Sequence, residues 1–146
     1  MELKFIQAIE SDFEDLLAIR IEAMRESLQR LGRFDLVRAR ERFANGFSPF
    51  FTRIIFRNEQ RVGFVVVQPN GNHLLLDHLY IHPTFQRQGI GSSVLKVIFE
   101  KAERTNMGIR VGALKESESN KFYIRNGFKL LETGEWDLYY FRESSI

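Results

Sequence analysis

The chain lacks cysteine, which excludes disulfide bonds, thiolate metal sites and cysteine nucleophiles. It also lacks any apolar run that approaches the ~18 residues of a membrane-spanning helix. Neither charge dominates, because 21 Lys and Arg stand against 19 Asp and Glu. The amino-terminal segment MELKFIQAIESDFED turns acidic too early for a secretory signal and is not an arginine-rich transit peptide. We therefore expect a cytoplasmic location, with neither nucleic acid nor membrane as a partner.

The residues that are present have the composition of a folded domain. The 146 residues are 44% hydrophobic and 27% charged, which predicts one globular domain spanning residues 1–146. Fourteen phenylalanines can supply an aromatic core. No linker, low-complexity run or internal repeat interrupts the chain.

Hydrophobic periodicity predicts a mixed α/β protein, with helices covering a mixed sheet. The predicted order is strand, two helices, three strands, helix, strand, helix and two strands. The predicted strands are 4–8, 50–57, 61–68, 73–81, 109–114, 128–132 and 136–142. The predicted helices run from residue 13 until Gly32, from Asp35 to Ala44, from 89 to 104 and from 117 to 125.

Local signals predict where the first two helices begin. Ser11 followed by Glu14 forms the S-x-x-E pattern of a capping box, which makes Ser11 the expected N-cap of the first helix. Asp35 is the expected N-cap of the second helix, and Asn45-Gly46 is its expected stop signal.

Residues 79–92, with the sequence LYIHPTFQRQGIGS, carry the strongest functional signal. A strand ends there, a polar turn follows, and Gly89 and Gly91 open an amphipathic helix. A helix start presents unpaired N–H groups and the positive end of its dipole, and both bind phosphate oxygens. The glycines leave no Cβ to keep a phosphate away, and Arg87 and the Ser92 hydroxyl can add contacts.

Two better-known phosphate loops do not fit this segment. A Walker loop needs a lysine directly after its last glycine, and none follows Gly91. The dinucleotide fingerprint needs a third glycine, but residue 94 is valine. Taken alone, the pattern also fits a tight helix start that binds nothing.

Two motifs resemble those of the GNAT acetyltransferase superfamily. Gln86, Gly89 and Gly91 occupy the fixed positions of its pyrophosphate motif Q/R-x-x-G-x-G/A. Downstream, FYIRNGF at 122–128 resembles the family signature F/L-Y-x-x-x-G-F. The predicted element order matches that fold over essentially the whole chain. The resemblance implies a GNAT-like fold, β-α-α-β-β-β-α-β-α-β-β, whose sheet splays after the fourth strand, and an acetyl-coenzyme A-dependent N-acetyltransferase.

The resemblance also implies a binding site for acetyl-coenzyme A, residue by residue. Main-chain groups of the fourth strand pair with the acetyl and pantetheine portion, and the glycine loop wraps the pyrophosphate. The implied cofactor-binding residues are Leu79, Tyr80, Ile81, Gln86, Arg87, Gln88, Gly89, Ile90, Gly91, Ser92, Asn120 and Tyr123. A bulge in the fourth strand is expected to expose amides that polarise the thioester carbonyl. Glu116 stands where many relatives have asparagine, and we expect Asn120 to replace that residue.

Direct attack of an amine on the thioester needs a neutral amine, a stabilised oxyanion and a proton for the leaving thiolate. Tyr123 fits the role of acid, because its phenol can donate a proton to the coenzyme sulfur; a packed aromatic is the alternative. Asp77 and His78 are the candidate bases on the strand expected to carry the acetyl group. Alternate residues of a strand face opposite sides, so only one of the two points into the site unless the bulge intervenes. A structural role is the alternative for His78.

No metal site is expected. The spacings between His73, His78 and His82 place them neither on one face nor close together. The arginine-rich helices suggest an acceptor with a carboxylate or phosphate, with Arg25 and Arg33 as the residues to test.

The leading prediction is transfer of the acetyl group of acetyl-coenzyme A directly to a primary amine, on a small molecule or on a protein. The alternative is a sensor or regulatory module that binds acetyl-coenzyme A without turnover. A nucleic-acid-binding domain rests only on the basic pI of about 9.0. A homodimer stays open.

Overall fold

The computed structural model describes residues 2–145. Within that part of the chain, the element order predicted from periodicity is confirmed, with four α-helices and seven strands. The strands are β1 (Lys4–Gln7), β2 (Thr52–Arg57), β3 (Gln60–Asn70), β4 (His73–Ile81), β5 (Gly108–Leu114), β6 (Lys129–Thr133) and β7 (Asp137–Arg142). The helices are α1 (Phe13–Arg30), α2 (Leu36–Gly46), α3 (Ile90–Arg104) and α4 (Glu118–Arg125). None of the helices within residues 2–145 combines the length and hydropathy needed to cross a bilayer.

The strands form a mixed sheet in the order β1-β2-β3-β4-β5-β7-β6. The pairs β1–β2, β2–β3, β5–β7 and β6–β7 are antiparallel, whereas β4 and β5 are parallel. A parallel pair needs a crossover connection, and α3 supplies it. The β4–β5 register runs from His73 opposite Gly108 to Leu76 opposite Val111, which covers the first four of the nine residues of β4. The predicted splay and the predicted bulge in β4 stay predictions.

The chain divides into two compact units, and each has its own buried residues. The first contains the residues up to Val66 together with His78–Ile90, and the second contains Val67–Asp77 together with the residues from Gly91 onward. The core of the first unit includes Ala8, Leu16, Leu17, Ile19, Phe43, Ile54, Phe64 and Val66. Buried residues of the second unit include Leu74, Leu76, Val94, Leu95, Ile98, Ile109, Val111 and Tyr140. The single domain expected from composition stays a prediction.

The capping box predicted at Ser11 is wrong. Ser11 lies in a short 3₁₀ helix, and the Asp12 carboxylate accepts a hydrogen bond from the Ile9 amide at 2.9 Å. The residue that precedes α1 is Asp12, and no side chain caps the helix there. Glu14, the expected partner of Ser11, instead accepts two hydrogen bonds from the Arg40 guanidinium on α2. The Glu14 carboxylate therefore takes part in a contact between α1 and α2 and not in a cap of α1.

The N-cap predicted at Asp35 is confirmed. Its Oδ1 accepts a hydrogen bond from the Arg38 amide at 3.1 Å, which satisfies one of the free N–H groups of the first turn of α2. The helix then runs through Gly46, the second residue of the predicted stop signal.

The segment after β7 is held against α3 by Glu103. This carboxylate accepts hydrogen bonds from the Ser145 amide at 3.1 Å, the Ser144 hydroxyl at 3.3 Å and the Arg142 guanidinium at 3.2 Å. The Ser145 amide, followed by the other donors, lowers the pKa of Glu103 below its ordinary value of 4.5. The charged carboxylate is therefore the form that the folded chain favours.

Glu103→Gln is accordingly expected to lower the free energy of unfolding at neutral pH. Because the pKa of Glu103 is lowered in the folded chain, its stabilising contribution is present above the unfolded pKa. It is lost as the pH falls through the folded pKa. The difference between wild type and variant should therefore shrink in urea denaturation at about pH 3 relative to neutral pH. Glu100→Gln, at an exposed position of the same helix, is the control. A difference that does not change with pH would contradict this account.

Candidate active site

The end of β4 is the segment expected to hold the acetyl portion of the cofactor. His78, Leu79, Tyr80 and Ile81 are all half-buried. Gly63 on β3 lies against this segment, since a Cβ built on it would fall far inside van der Waals contact of the Tyr80 carbonyl oxygen. β3 approaches the main chain of β4 this closely because residue 63 has no side chain.

The two candidate bases lie in different surroundings. The centroid of the His78 ring is 5.8 Å from that of Phe43, 6.3 Å from that of Phe64 and 5.5 Å from that of Tyr80. Its Nδ1 is 3.4 Å from the Tyr80 hydroxyl. Asp77 is exposed. An imidazole beside a phenol hydroxyl can relay a proton, so the geometry is compatible with His78 as the base.

The glycine loop folds back on β4 at its first residue. The Gln86 side-chain amide donates to the Ile81 carbonyl at 2.8 Å. Arg87 and Gly89 then adopt left-handed backbone conformations, with φ of 63° and 79°. Ile90 begins α3 and is only 1% exposed. The loop is thus anchored to the strand at one end and to buried structure at the other.

The loop offers main-chain donors at the surface. Arg87, Gln88 and Gly89 are exposed residues, and within residues 2–145 no main-chain hydrogen bond uses their N–H groups. The N–H groups of the first turn of α3 follow directly, and a helix leaves these without partners of its own. Together with the Arg87 guanidinium and the positive end of the helix dipole, these donors can bind an anion such as a diphosphate.

Gly91 has a task that the loop motif did not predict. A Cβ at this position would lie 3.0 Å from Cζ of Phe122 on α4, so the missing side chain lets the Phe122 ring approach α3. The sequence suggested a different role for Gly91, which was to let a phosphate approach the main chain. Ser92 follows in the first turn and is exposed.

Tyr123, the expected acid, is buried on α4. It is 4% exposed, and its ring centroid lies 5.2 Å from that of Phe122 and 5.3 Å from that of Phe128. Its carbonyl accepts from the Phe128 amide at 3.0 Å, where the chain leaves the helix. The ring is thus fixed by packing on neighbouring aromatics, and its role as an acid stays a prediction.

Asn120, the expected substitute for the asparagine of relatives, uses both ends of its amide within the chain. Its Nδ2 donates to the carbonyls of Leu114 at 2.9 Å and Ser117 at 3.0 Å. Its Oδ1 accepts from the Tyr140 hydroxyl at 2.8 Å, and burial raises the pKa of Tyr140, which keeps that donor neutral. Glu116 is exposed in the preceding turn. Asn120 therefore ties α4 to β5 and β7, and its contact with the cofactor stays a prediction.

The remaining histidines have separate surroundings. The His73 ring lies 6.0 Å from that of Phe141. His82 belongs to the loop after β4, and its Nδ1 accepts from the Thr84 amide at 3.1 Å. In the part of the chain that the structure describes, no group of three or more His, Cys, Asp or Glu is placed to hold a metal ion.

The arginines that were expected to attract an anionic acceptor have other partners. Arg25 pairs with Glu22 at 2.8 Å and lies 4.6 Å from the centroid of the Phe34 ring, and Arg33 also has a partner. The sequence reasoning missed Arg20, which lies on α1 with its guanidinium carbon 5.9 Å from the centroid of the Tyr80 ring.

The site residues divide between the two compact units. His78–Ile81 and the loop residues 86–90 belong to the first unit. Asp77, Gly91, Ser92, Asn120 and Tyr123 belong to the second.

Comparison with known proteins places the chain in a family. A sequence model described as "Acetyltransferase (GNAT) domain" matches residues 49–130, which is more than half of the chain. No curated protein sequence matches significantly.

Solved structures with the same fold are numerous. The PaiA N-acetyltransferase of Thermoplasma acidophilum, solved with coenzyme A, has a TM-score of 0.79 at 17% identity and covers 98% of this chain and 99% of its own. Ard1 of Thermoplasma volcanium has a TM-score of 0.70 at 15% identity and covers 100% of both chains. The N-acetylglutamate synthase of Neisseria gonorrhoeae, solved with coenzyme A and N-acetyl-glutamate, has a TM-score of 0.70 at 15% identity, over 100% of this chain and 36% of that one. At these identities the similarity establishes the fold.

Proposed function

Because the chain belongs to the GNAT acetyltransferase family, we propose that it transfers the acetyl group of acetyl-coenzyme A directly to a primary amine of a small molecule or protein. Residues 1–146 are proposed to act as a single acetyltransferase domain. The observation that carries the proposal is the run of three exposed residues, Arg87, Gln88 and Gly89, whose amides lack main-chain partners within residues 2–145. The coenzyme A bound to the PaiA enzyme, which shares the fold, supports the same ligand here.

In the proposed reaction the amine nitrogen bonds to the acetyl carbon, and the carbon–sulfur bond breaks. Main-chain groups of Leu79, Tyr80 and Ile81 hold the acetyl and pantetheine portion. His78, with Asp77 as the second candidate, takes the proton that the amine loses, and Tyr123 gives a proton to the coenzyme thiolate. Protons and charge therefore balance over one turnover, with coenzyme A and an N-acetyl amine as products.

The grip on the diphosphate is proposed to come from Gln86–Ser92, and Gly89→Ala tests it. Alanine at a φ of 79° is strained, and relief of that strain would rotate the neighbouring amides. We expect the dissociation constant for coenzyme A, measured by calorimetry, to rise by about 10-fold, which corresponds to about 1.4 kcal/mol.

Gly71→Ala is the matched control for this loop variant. Gly71 has a φ of 66° and nothing within 4 Å of a built Cβ, so alanine there creates similar strain in the turn between β3 and β4. Stability should fall in both variants, whereas coenzyme A affinity should fall only in Gly89→Ala. If the two variants bound coenzyme A with equal affinity, the loop would not be part of the binding site.

A thiol-release assay separates the enzyme from the alternative, a sensor that binds acetyl-coenzyme A without turnover. The full chain is incubated with acetyl-coenzyme A and a panel of amines and peptides, and released thiol is measured beside calorimetric binding. Amine-dependent thiol release with a mass gain of one acetyl group on the amine supports the enzyme. Tight binding without release over the whole panel supports the sensor, and absence of binding rejects both.

A further inference from the structure

Arg20 lies on α1 in an unusual setting for an arginine. Its Nε is buried and has no hydrogen-bond partner in the structure described for residues 2–145. Its guanidinium carbon is 6.0 Å from the centroid of the Phe43 ring and 5.9 Å from that of Tyr80. Aromatic faces compensate a cation only weakly at this distance. A buried N–H without an acceptor is costly, so the fold keeps a donor here that the described chain does not satisfy.

Three other arginines of the same unit are paired with carboxylates, although Nε of one of them, Arg61, is also buried without a partner in the described structure. Arg25 pairs with Glu22, Arg40 with Glu14 and Arg61 with Asp15. Arg20 is one helical turn from Leu16 and Leu17, both of which are buried, so it projects from the apolar side of α1. A charged side chain therefore occupies a position on the apolar side of α1 where an apolar side chain would be usual.

We propose that Arg20 binds a carboxylate carried by the acceptor, so that the amine acetylated by this enzyme is an amino acid or another amine bearing a carboxylate. The inference rests on the proposed function. Tyr80, the ring beside Arg20, belongs to the β4 segment proposed to hold the acetyl portion, and its hydroxyl is 3.4 Å from Nδ1 of His78, the candidate base. An acceptor held at Arg20 is therefore held beside the residues proposed to carry the chemistry.

The surroundings favour a carboxylate over a phosphate. A single guanidinium can bind both oxygens of a carboxylate through two parallel N–H···O bonds. A phosphate carries more charge and three acceptor oxygens, and its sites combine several donors. The rings of Phe43 and Tyr80, which lie beside the Arg20 guanidinium, add no further positive charge.

The test uses pairs of amines that differ by one carboxylate. L-lysine is compared with cadaverine, L-phenylalanine with phenylethylamine, and alanylalanine with its amide, which separates a free amino acid from a peptide carboxylate. Phosphoethanolamine and ethanolamine form the phosphate pair.

For the wild type we expect kcat/KM to be higher for the carboxylate-bearing member of at least one pair. Arg20→Gln should lower that value by about 10- to 100-fold, the usual cost of a lost hydrogen bond to a charged group. Acetylation of the partner without the carboxylate and the KM for acetyl-coenzyme A should not change.

Arg30→Gln, an arginine on the exposed part of the same helix, is the control and should alter neither member of a pair. Arg20→Lys keeps the charge without the planar fork and should lose part of the preference. Equal turnover within every carboxylate pair, an equal loss for both members in Arg20→Gln, or a preference for phosphoethanolamine alone would overturn the proposal.

A binding measurement decides the matter even if no amine is turned over. The Nε–H signal of Arg20 is identified in proton–nitrogen NMR spectra by its loss in Arg20→Gln. It is then followed in the wild type, with coenzyme A present, as the two members of each carboxylate pair are added in turn. A shift with the carboxylate-bearing member alone, in at least one pair, supports the carboxylate site, and no shift with any of these amines overturns it. Absence of thiol release together with such a carboxylate-specific shift would reject the proposed enzyme and keep the site.

Discussion

Tyr123→Phe is expected to lower kcat by about 10²- to 10⁴-fold, the range typical of losing a general acid, with the affinity for acetyl-coenzyme A retained. The phenol is proposed to donate a proton to the thiolate as the carbon–sulfur bond breaks, and phenylalanine has no proton to give. The ring itself should stay in place, because it is 4% exposed and packed beside Phe122 and Phe128. Single-turnover kinetics with a good amine and calorimetry with coenzyme A separate the chemical step from binding.

Tyr140→Phe provides the matched control. Tyr140 is also buried, at 2% exposure, and its hydroxyl donates to Asn120. No chemical step is assigned to this hydroxyl. Loss of that hydrogen bond should cost about 1 kcal/mol of stability without a comparable loss of kcat. If the two variants lost kcat equally, the effect of Tyr123→Phe would be one of packing. If Tyr123→Phe kept the wild-type kcat, the acid would be another group.

The order of helices and strands could be read from the sequence because it depends on local periodicity. Apolar residues at alternate or helical spacing place each element without knowledge of its neighbours. The Asp35 cap was predictable for the same reason, since donor and acceptor lie three residues apart. The cap at Ser11 failed because Ser11 itself lies in a 3₁₀ helix, so it is not the residue that precedes α1. Its expected partner Glu14 binds Arg40, which lies 26 residues away, and a local pattern cannot predict a contact that depends on tertiary packing.

The glycines illustrate the same limit within the site. The loop motif predicted a task for Gly89 and Gly91, because the motif itself is local. The approach of Phe122 to Gly91 and of Tyr80 to Gly63 depends on how separate elements pack, which the sequence does not reveal. Arg20 is an intermediate case. Its spacing from Leu16 and Leu17 already places a charged residue on the apolar side of the predicted helix. That signal could have identified Arg20 as a better candidate than Arg25 for binding an anionic acceptor.

Gly63→Ala is expected to have the largest effect on stability, at about 3 kcal/mol or more, near or beyond the upper end of ordinary overpacking. The added carbon would meet the main-chain carbonyl of Tyr80 and would lie 2.9 Å from the Ile81 side chain. A flexible side chain can turn away, but a carbonyl oxygen in β4 moves only with its strand. Urea denaturation of the variant and the wild type measures the loss.

Gly46→Ala separates this steric effect from the general effect of replacing glycine. A Cβ at Gly46 meets nothing within 4 Å, and the residue closes α2, so alanine there should be neutral or slightly stabilising. Because the atom displaced in Gly63→Ala belongs to the β4 segment proposed to hold acetyl-coenzyme A, any folded variant should also bind coenzyme A more weakly. Wild-type stability in Gly63→Ala would mean that β3 and β4 can separate at no cost. In that case the close approach of the two strands could not be what fixes the main chain of Tyr80 for binding.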